Sequence, residues 1–234
     1  MTAPPARSTT EYLEALYEMD EEGIPTVQAR LAEWMGVSRA SVSEAVKRLL
    51  RDGLVRSEDR RLAFTENGER LAVAQVRRHR IAEHFLIRII GLPWHRAHEE
   101  AGRWERAISD EVEARMVEIL GDPGACPHGN PIPGSANAVD LAGLVPLNRV
   151  EPGEQVVLRR LTEDLELDLD VMRFFEDSGL MPGARIDVRR KGPDGTMGLE
   201  VDGEAVAVGA HLADNLWVAP LGDRRIPGQE SGST

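Results

Sequence analysis

Between Arg78 and Arg106 the chain carries four of its six histidines on two helical segments joined at Gly91-Leu92-Pro93-Trp94. His79 and Glu83 are spaced i, i+4 and project from one helix face, while Ile81, Phe85 and Ile89 lie on the other side as a packing stripe. In the next segment His98, Gly102 and Glu105 form an i, i+4, i+7 row with Arg106 at its edge. If the two helices pack antiparallel, imidazoles and carboxylates from both can meet. That donor mixture suits divalent ions such as Fe(II), Mn(II), Ni(II) or Zn(II), and no cysteine stands beside it to favour a softer metal. An ordinary solvated helix face would show the same spacing, so both readings stay open. His84 and His95 have no second partner at helical spacing and read as surface or core residues. Cys126 and His128 fall in a Pro/Gly-rich connector and read as structural.

These donors sit in a helical segment running from Thr65, a suitable N-cap, to about Leu120. Before it come a helix carrying Tyr12, Leu13, Leu16 and Tyr17 and ended by Gly23, then a helix-turn-helix. Thr26 is expected to cap the first helix of that motif, which carries Val27, Leu31 and Met35, and Gly36 suits its left-handed end. Ser38 can cap the second helix, whose inner face is Val42, Val46 and Leu49. Two short strands, Leu54–Arg56 and Arg61–Phe64, follow around a polar turn. A helix-turn-helix followed by a basic hairpin predicts a winged helix whose second helix enters the DNA major groove. A formal charge of −12 argues against nucleic acid only if it is evenly spread. Ile24–Arg61 instead holds eight basic against five acidic side chains, a local excess of +3.

After Leu120 comes a connector dense in Gly and Pro, expected to lack regular structure, then short strands with one helix, "DLDVMRFFEDSGL", that predict a small β-barrel. A single cysteine excludes an intramolecular disulfide, no apolar run is long enough for a membrane span, and no secretory signal is readable. A cytoplasmic location is expected.

The order of these parts, with "RRHRIAEHFL", "IGLPW", "AHEEAGRWERAISDEVEARM", "HGNPIPG" and "MRFFEDSGLMPGARIDV", resembles the diphtheria-toxin-repressor and manganese-transport-regulator family over residues 8 to 220. The resemblance implies a mainly α, multi-domain chain: an N-terminal winged helix-turn-helix over 1–65, a helical metal-binding and dimerisation domain over 66–140, a linker over 141–149, a small C-terminal SH3-like (FeoA-like) β-barrel over 150–220 and a disordered tail over 221–234. It also implies a homodimeric repressor of metal-homeostasis genes that binds double-stranded operator DNA with Mn(II) or Fe(II) as cofactor. His79, Glu83 and His98 fall on the family's ancillary ligand positions, with Asp168 where a Glu ligand is found and Val171 where a Gln is found. At the primary site Glu105 matches a ligand, and Glu11 and Glu14 resemble the acidic pair of the manganese-type branch. Gly102 and Arg106, however, stand where the family has donors, and a guanidinium offers no lone pair.

Two readings follow for Arg106: a fixed cation paired with Glu11, Glu14 or Glu105 that replaces the activating metal, or an outward-turned side chain that leaves those carboxylates to hold a hard ion. Base readout is expected from Ser38, Arg39, Ala40 and Glu44, and phosphate contact from Ser41, Ser43, Lys47, Arg48, Arg51, Arg60 and Arg61. A non-haem metalloenzyme is the competing class, because two histidines and a carboxylate also ligate iron oxygenases. A winged-helix regulator of an organic ligand is the third.

Overall fold

The computed structural model describes residues 8–221, so all of the expected disordered tail but Leu221 lies outside the described residues. Two compact units divide the chain, 1–78 and 79–234. In the first, α1 (Thr9–Glu21), α2 (Gln28–Trp34) and α3 (Arg39–Arg51) are followed by a hairpin of β1 (Val55–Glu58) and β2 (Arg61–Phe64). Leu13, Leu16 and Met19 of α1, Leu31 of α2 and Val42, Val46 and Leu49 of α3 are buried in one core with Val55 and Leu62. Ser8 and Glu11 close a capping box on α1, in which their side-chain oxygens accept from two of the backbone N–H groups that a helix start leaves without partners. Ser38 caps α3, its Oγ accepting from Ser41 N at 3.1 Å, and Gly36 takes a φ of +63°.

Thr26 does not cap α2. The N-cap is Val27, with no side-chain bond, and Thr26 instead pairs with the wing: its hydroxyl donates to Leu62 O at 2.8 Å, and Leu62 N donates to Thr26 O at 2.8 Å. The wing turn is a two-residue hairpin in which Asp59 and Arg60 both take positive φ, the geometry whose twist matches antiparallel strands. It presents Arg60 and Arg61 to solvent.

The longest helix, α4 (Glu66–Phe85), is capped by Thr65, whose Oγ1 accepts from Gly68 N at 3.1 Å. It runs on as a π-turn over Leu86–Ile90 and stops at Gly91. That change of repeat ends the expected packing stripe, since Ile81 is buried but Ile89 is 49% exposed. A 3-10 turn (Trp94–Arg96) leads into α5 (Ala97–Trp104), followed by α6 (Asp110–Leu120), which Ser109 caps. The C-terminal part is a six-stranded sheet of order β3-β8-β4-β5-β6-β7, in which every named pair is antiparallel. Its strands are β3 (Val145–Pro146), β4 (Gln155–Leu161), β5 (Arg185–Lys191), β6 (Met197–Val201), β7 (Glu204–Val208) and β8 (Leu216–Pro220). Between β4 and β5 lie α7 (Glu163–Glu166) and α8 (Leu169–Asp177), and α9 (Ala210–Asp214) precedes β8. Leu158, Phe175, Leu180, Ile186, Met197, Leu216 and Val218 fill its core. No helix among the described residues is long and apolar enough to cross a membrane.

The Thr26 pairing predicts that Thr26→Val, which keeps volume but removes the buried donor, destabilises the first unit by about 1 kcal/mol. Chemical denaturation should show this as a lower midpoint at unchanged slope, and an unchanged midpoint would contradict it.

Candidate metal centre

His79 and Glu83 leave α4 on one face, as their spacing requires, and meet His98 of α5. His79 Nε2 is 3.2 Å from Glu83 Oε1 and 3.1 Å from His98 Nδ1, while His98 Nδ1 is 3.3 Å from Glu83 Oε1. On the other side of its ring His79 Nδ1 is 2.6 Å from Glu105 Oε2. The contact pairs 79 with 105 and 83 with 98 follow antiparallel order, as expected of the two helices. Glu105 thus acts as a buried carboxylate behind an imidazole, an arrangement that fixes the tautomer and turns Nε2 toward the cluster.

Three further side chains close the cluster. The connector is ordered as a tight loop, with Cys126 N donating to Asn130 O at 2.7 Å and a bridge between Ala125 and Pro131. That loop buries Cys126 and His128 beside Glu83. His128 Nδ1 lies 3.3 Å from Glu83 Oε1 and 2.7 Å from Glu166 Oε2, and His98 Nδ1 lies 3.1 Å from Glu166 Oε2.

Glu166, not Asp168, is the carboxylate of this segment that enters the cluster. Asp168 is exposed and serves as the N-cap of α8, with Oδ1 accepting from Asp170 N at 3.0 Å and Val171 N at 3.2 Å. Val171 packs against the barrel core. Glu166 is aimed by a relay that starts in the sheet: a register shift in β4 between Leu158 and Arg160 leaves Arg160 buried, its guanidinium donates to Asn130 Oδ1, and Asn130 Nδ2 donates to Glu166 Oε1 at 2.7 Å. Glu163, one helical turn earlier, pairs with Arg80 Nη2 at 2.6 Å, both buried. Arg80 also donates to Pro131 O.

Burial favours the neutral form of Glu83 and Glu166, but the neighbouring imidazoles outweigh it and hold both below the usual range. Glu163, where burial and the Glu166 charge prevail over Arg80, is raised. Burial opposes charge on His98 too, yet its bonds to Glu166 and Glu83 raise it to about 10, and His128 is raised in the same way. Burial also pushes the Cys126 thiol up to about 12. Glu83 Oε2, Glu166 Oε2 and both ring nitrogens of His128 are buried without hydrogen-bond geometry to any partner. Such atoms cost free energy unless something else satisfies them. Imidazole, carboxylate and thiol groups that converge with such atoms among them fit a divalent cation, which would displace the protons on the imidazoles.

Glu11 is engaged in the α1 capping box, and Glu14 is buried on the same helix. Arg106 is exposed, and a Cβ on Gly102 would meet nothing within 4 Å. His84 Nε2 bonds Ala125 O at 2.5 Å, and His95 bonds Glu176. On α3, Ser38, Arg39, Ala40, Ser41, Glu44, Lys47 and Arg51 are exposed, and Ser43 and Arg48 are half-buried. Glu44 pairs with Lys47 at 2.7 Å, and the lysine's hydrogen bond lowers the pKa of the carboxylate.

Gly129 is what lets the connector deliver His128 and Asn130. It has a φ of +97°, and a Cβ there would stand 2.0 Å from Arg159 O. Gly129→Ala should therefore cost at least about 1–3 kcal/mol in backbone strain and shift the loop away from β4. Divalent-ion binding, read by calorimetry, is expected to weaken with it. Native affinity and stability in this variant would contradict the close approach.

The chain matches three family descriptions in order: "Iron dependent repressor, N-terminal DNA binding domain" over residues 6–63, "Iron dependent repressor, metal binding and dimerisation domain" over 65–134 and "FeoA domain" over 145–220. It is 44% identical over 191 residues to the iron-dependent repressor IdeR of Mycobacterium tuberculosis, covering 77% of this chain and 83% of that protein. Identity to the diphtheria toxin repressor of Corynebacterium diphtheriae is 36% over 226 residues, covering 91% and 97%. Among solved structures, a manganese-dependent transcriptional repressor in complex with manganese superposes with a TM-score of 0.80 at 31% identity, covering 92% of this chain and all of that one. These relatives are repressors and not enzymes. With all three segments matched in order, the chain belongs to the iron-dependent repressor family of metal-dependent transcriptional regulators.

Proposed function

We propose that this chain is a divalent-metal-dependent repressor of metal-homeostasis genes that binds double-stranded operator DNA as a homodimer in the cytoplasm, and that its sensor is the cluster around Glu83. The observation that carries the reading is the convergence of imidazole, carboxylate and thiol groups from α4, α5, the connector and α7, among which Glu83 Oε2, Glu166 Oε2 and the ring nitrogens of His128 are buried without hydrogen-bond geometry. His79, Glu83, His98, Cys126, His128 and Glu166 would hold Mn(II) or Fe(II). When bound, such an ion supplies the positive charge that otherwise comes from protons on the imidazoles, and it ties the four segments together.

Glu105 orients His79 in this reading, while Gly102 and Arg106 contribute no donor. His79 and Glu83 are both rooted in α4, the helix that leaves the wing at Thr65. A grip on its C-terminal half selects among arrangements of the DNA-binding unit. There α3 offers Ser38, Arg39, Ala40 and Glu44 to base edges, and Ser41, Ser43, Lys47, Arg48, Arg51, Arg60 and Arg61 surround them as phosphate contacts. Glu44 can accept from cytosine N4 only after parting from Lys47, so base and phosphate contacts are coupled at that point.

For the second copy, Val112 and Ile119 of α6 stand 47% and 59% exposed at i, i+7, and Ile89 and Ile90 are 49% and 55% exposed on the π-turn. Four large apolar side chains in the segment that matches the dimerisation description supply an interface.

Operator binding should be titrated by fluorescence anisotropy with Mn(II), with Fe(II) under anaerobic conditions and with chelator. The unaltered chain is to be compared with Glu83→Gln and Arg106→His. Metal is expected to tighten binding about 5- to 150-fold in the unaltered chain and in Arg106→His, but not in Glu83→Gln. Metal-independent binding by the unaltered chain would end the sensor reading. Metal dependence that arises only in Arg106→His would mean that this guanidinium has taken the place of the activating ion.

A further inference from the structure

We propose that Glu176 of the barrel is a positioning residue for the sensor: it supplies the N-terminal cap that the helix bearing His98 lacks, so that seating of the barrel and ion affinity at the cluster rise and fall together. The inference deepens the metal-sensor reading and rests on it. That helix begins at Trp94, where the 3-10 turn runs straight into α5. Neither Pro93 before the turn nor Arg96 before α5 makes a side-chain cap bond. Of the first four amides, Arg96 N donates to Pro93 O at 3.0 Å and Ala97 N donates to Trp94 O, which leaves those of Trp94 and His95.

Both go to one carboxylate on α8. Trp94 N donates to Glu176 Oε1 at 3.1 Å, and His95 N donates to Glu176 Oε2 at 3.1 Å. The His95 imidazole bonds the same carboxylate. By contrast α1, α3, α4, α6 and α8 take their caps from the residue before them, Ser8, Ser38, Thr65, Ser109 and Asp168. The helix of His98 takes its cap from a residue 82 positions beyond Trp94, so the order of its first turn depends on how the barrel is seated.

The Trp94 ring strengthens that dependence. It is buried in the barrel core, its Nε1 donates to Pro127 O at 3.1 Å, and it meets the His128 ring edge-on at 4.7 Å between centroids. One turn on, His98 faces Glu166 of α7. Thus α7 and α8 present two carboxylates to successive turns of one helix, Glu166 within the cluster and Glu176 outside it. A negative charge at the start of a helix is also favoured by the helix dipole. An ion that fixes His98 against Glu166 brings the two segments together and favours the cap, and the cap holds His98 where the ion requires it. The two effects are equal by reciprocity. Their size is limited by what a cap contributes, about 5- to 30-fold in an equilibrium.

The test reads hydrogen exchange at the Trp94 and His95 amides of the full-length chain by mass spectrometry, with and without saturating Mn(II), and Mn(II) affinity by calorimetry. Mn(II) is expected to slow exchange at both amides by about 5- to 30-fold in the unaltered chain. Glu176→Ala should abolish that slowing while the loop from Cys126 to Asn130 still responds, and should weaken Mn(II) binding by the same factor. Glu176→Gln, which keeps an acceptor oxygen, should recover part of both. Mn(II) binding with no response at the two amides overturns the proposal and leaves the sensor reading intact, as does native Mn(II) affinity in Glu176→Ala. No Mn(II) binding by the unaltered chain removes both readings. Exchange with and without Mn(II) is read on the unaltered chain, so a variant that fails to fold does not decide the outcome.

Discussion

Taking the charges of Glu83 and Glu166 out of water is the constraint on which the second unit depends. A buried carboxylate is tolerated only when cations and donors surround it closely. Here the surroundings come from four separate stretches of chain: a helix, a second helix folded back on it, an irregular loop and a short helix on the edge of a barrel. Ile81, Ala82 and Leu86, Ala101 and Ile132 already pack the two helices and the loop into one apolar core. The charges are satisfied only where these stretches meet the short helix, and a ligand that satisfies them adds to how firmly the stretches hold together. The same feature makes the region suitable as a sensor, because occupancy and local rigidity are one variable.

Backbone devices far from the charges supply the aim. The irregularity in β4 turns Arg160 inward, Asn130 passes that orientation to Glu166, and Gly129 allows the loop to lie against β4 closely enough for the relay to form. Behind His79 the carboxylate of Glu105 fixes the ring. The cluster is thus supported from two directions, by the sheet and by the helices. Asp168 shows the converse case: it caps the start of α8, and a carboxylate committed to backbone amides at a helix terminus is not available elsewhere.

The fold was legible wherever local periodicity decides it. The winged helix, the capping by Ser38 and Thr65 and the α8 helix follow from spacing, turn residues and cap chemistry, which act over a few residues. Half of the cluster was legible for the same reason, since His79, Glu83 and His98 lie at helical spacing on adjacent helices. What escaped was fixed by tertiary contacts. Thr26 was expected as a cap and instead pairs with Leu62, a residue far away in sequence. "LTEDLELDLDV" offers two pairs at i, i+3, Glu163 with Glu166 and Asp168 with Val171, and only the sheet determines which faces the histidines. Cys126 and His128 carried one usable signal: residues two apart in an extended Pro/Gly loop can point to the same side. Without a known neighbour for that loop, the signal had no destination.

The surface of α3 and the wing has the basic and small residues the sequence led one to expect. In the proposed reading control is exerted through the helix that leaves the wing, by donors located in the unit beyond it. The most direct check is anomalous scattering from crystals grown with Mn(II) or Fe(II) and operator DNA. Density is expected among His79, Glu83, His98 and Glu166. An operator complex with no anomalous density there, or with density only beside Glu105 and Arg106, would contradict the assignment of the sensor.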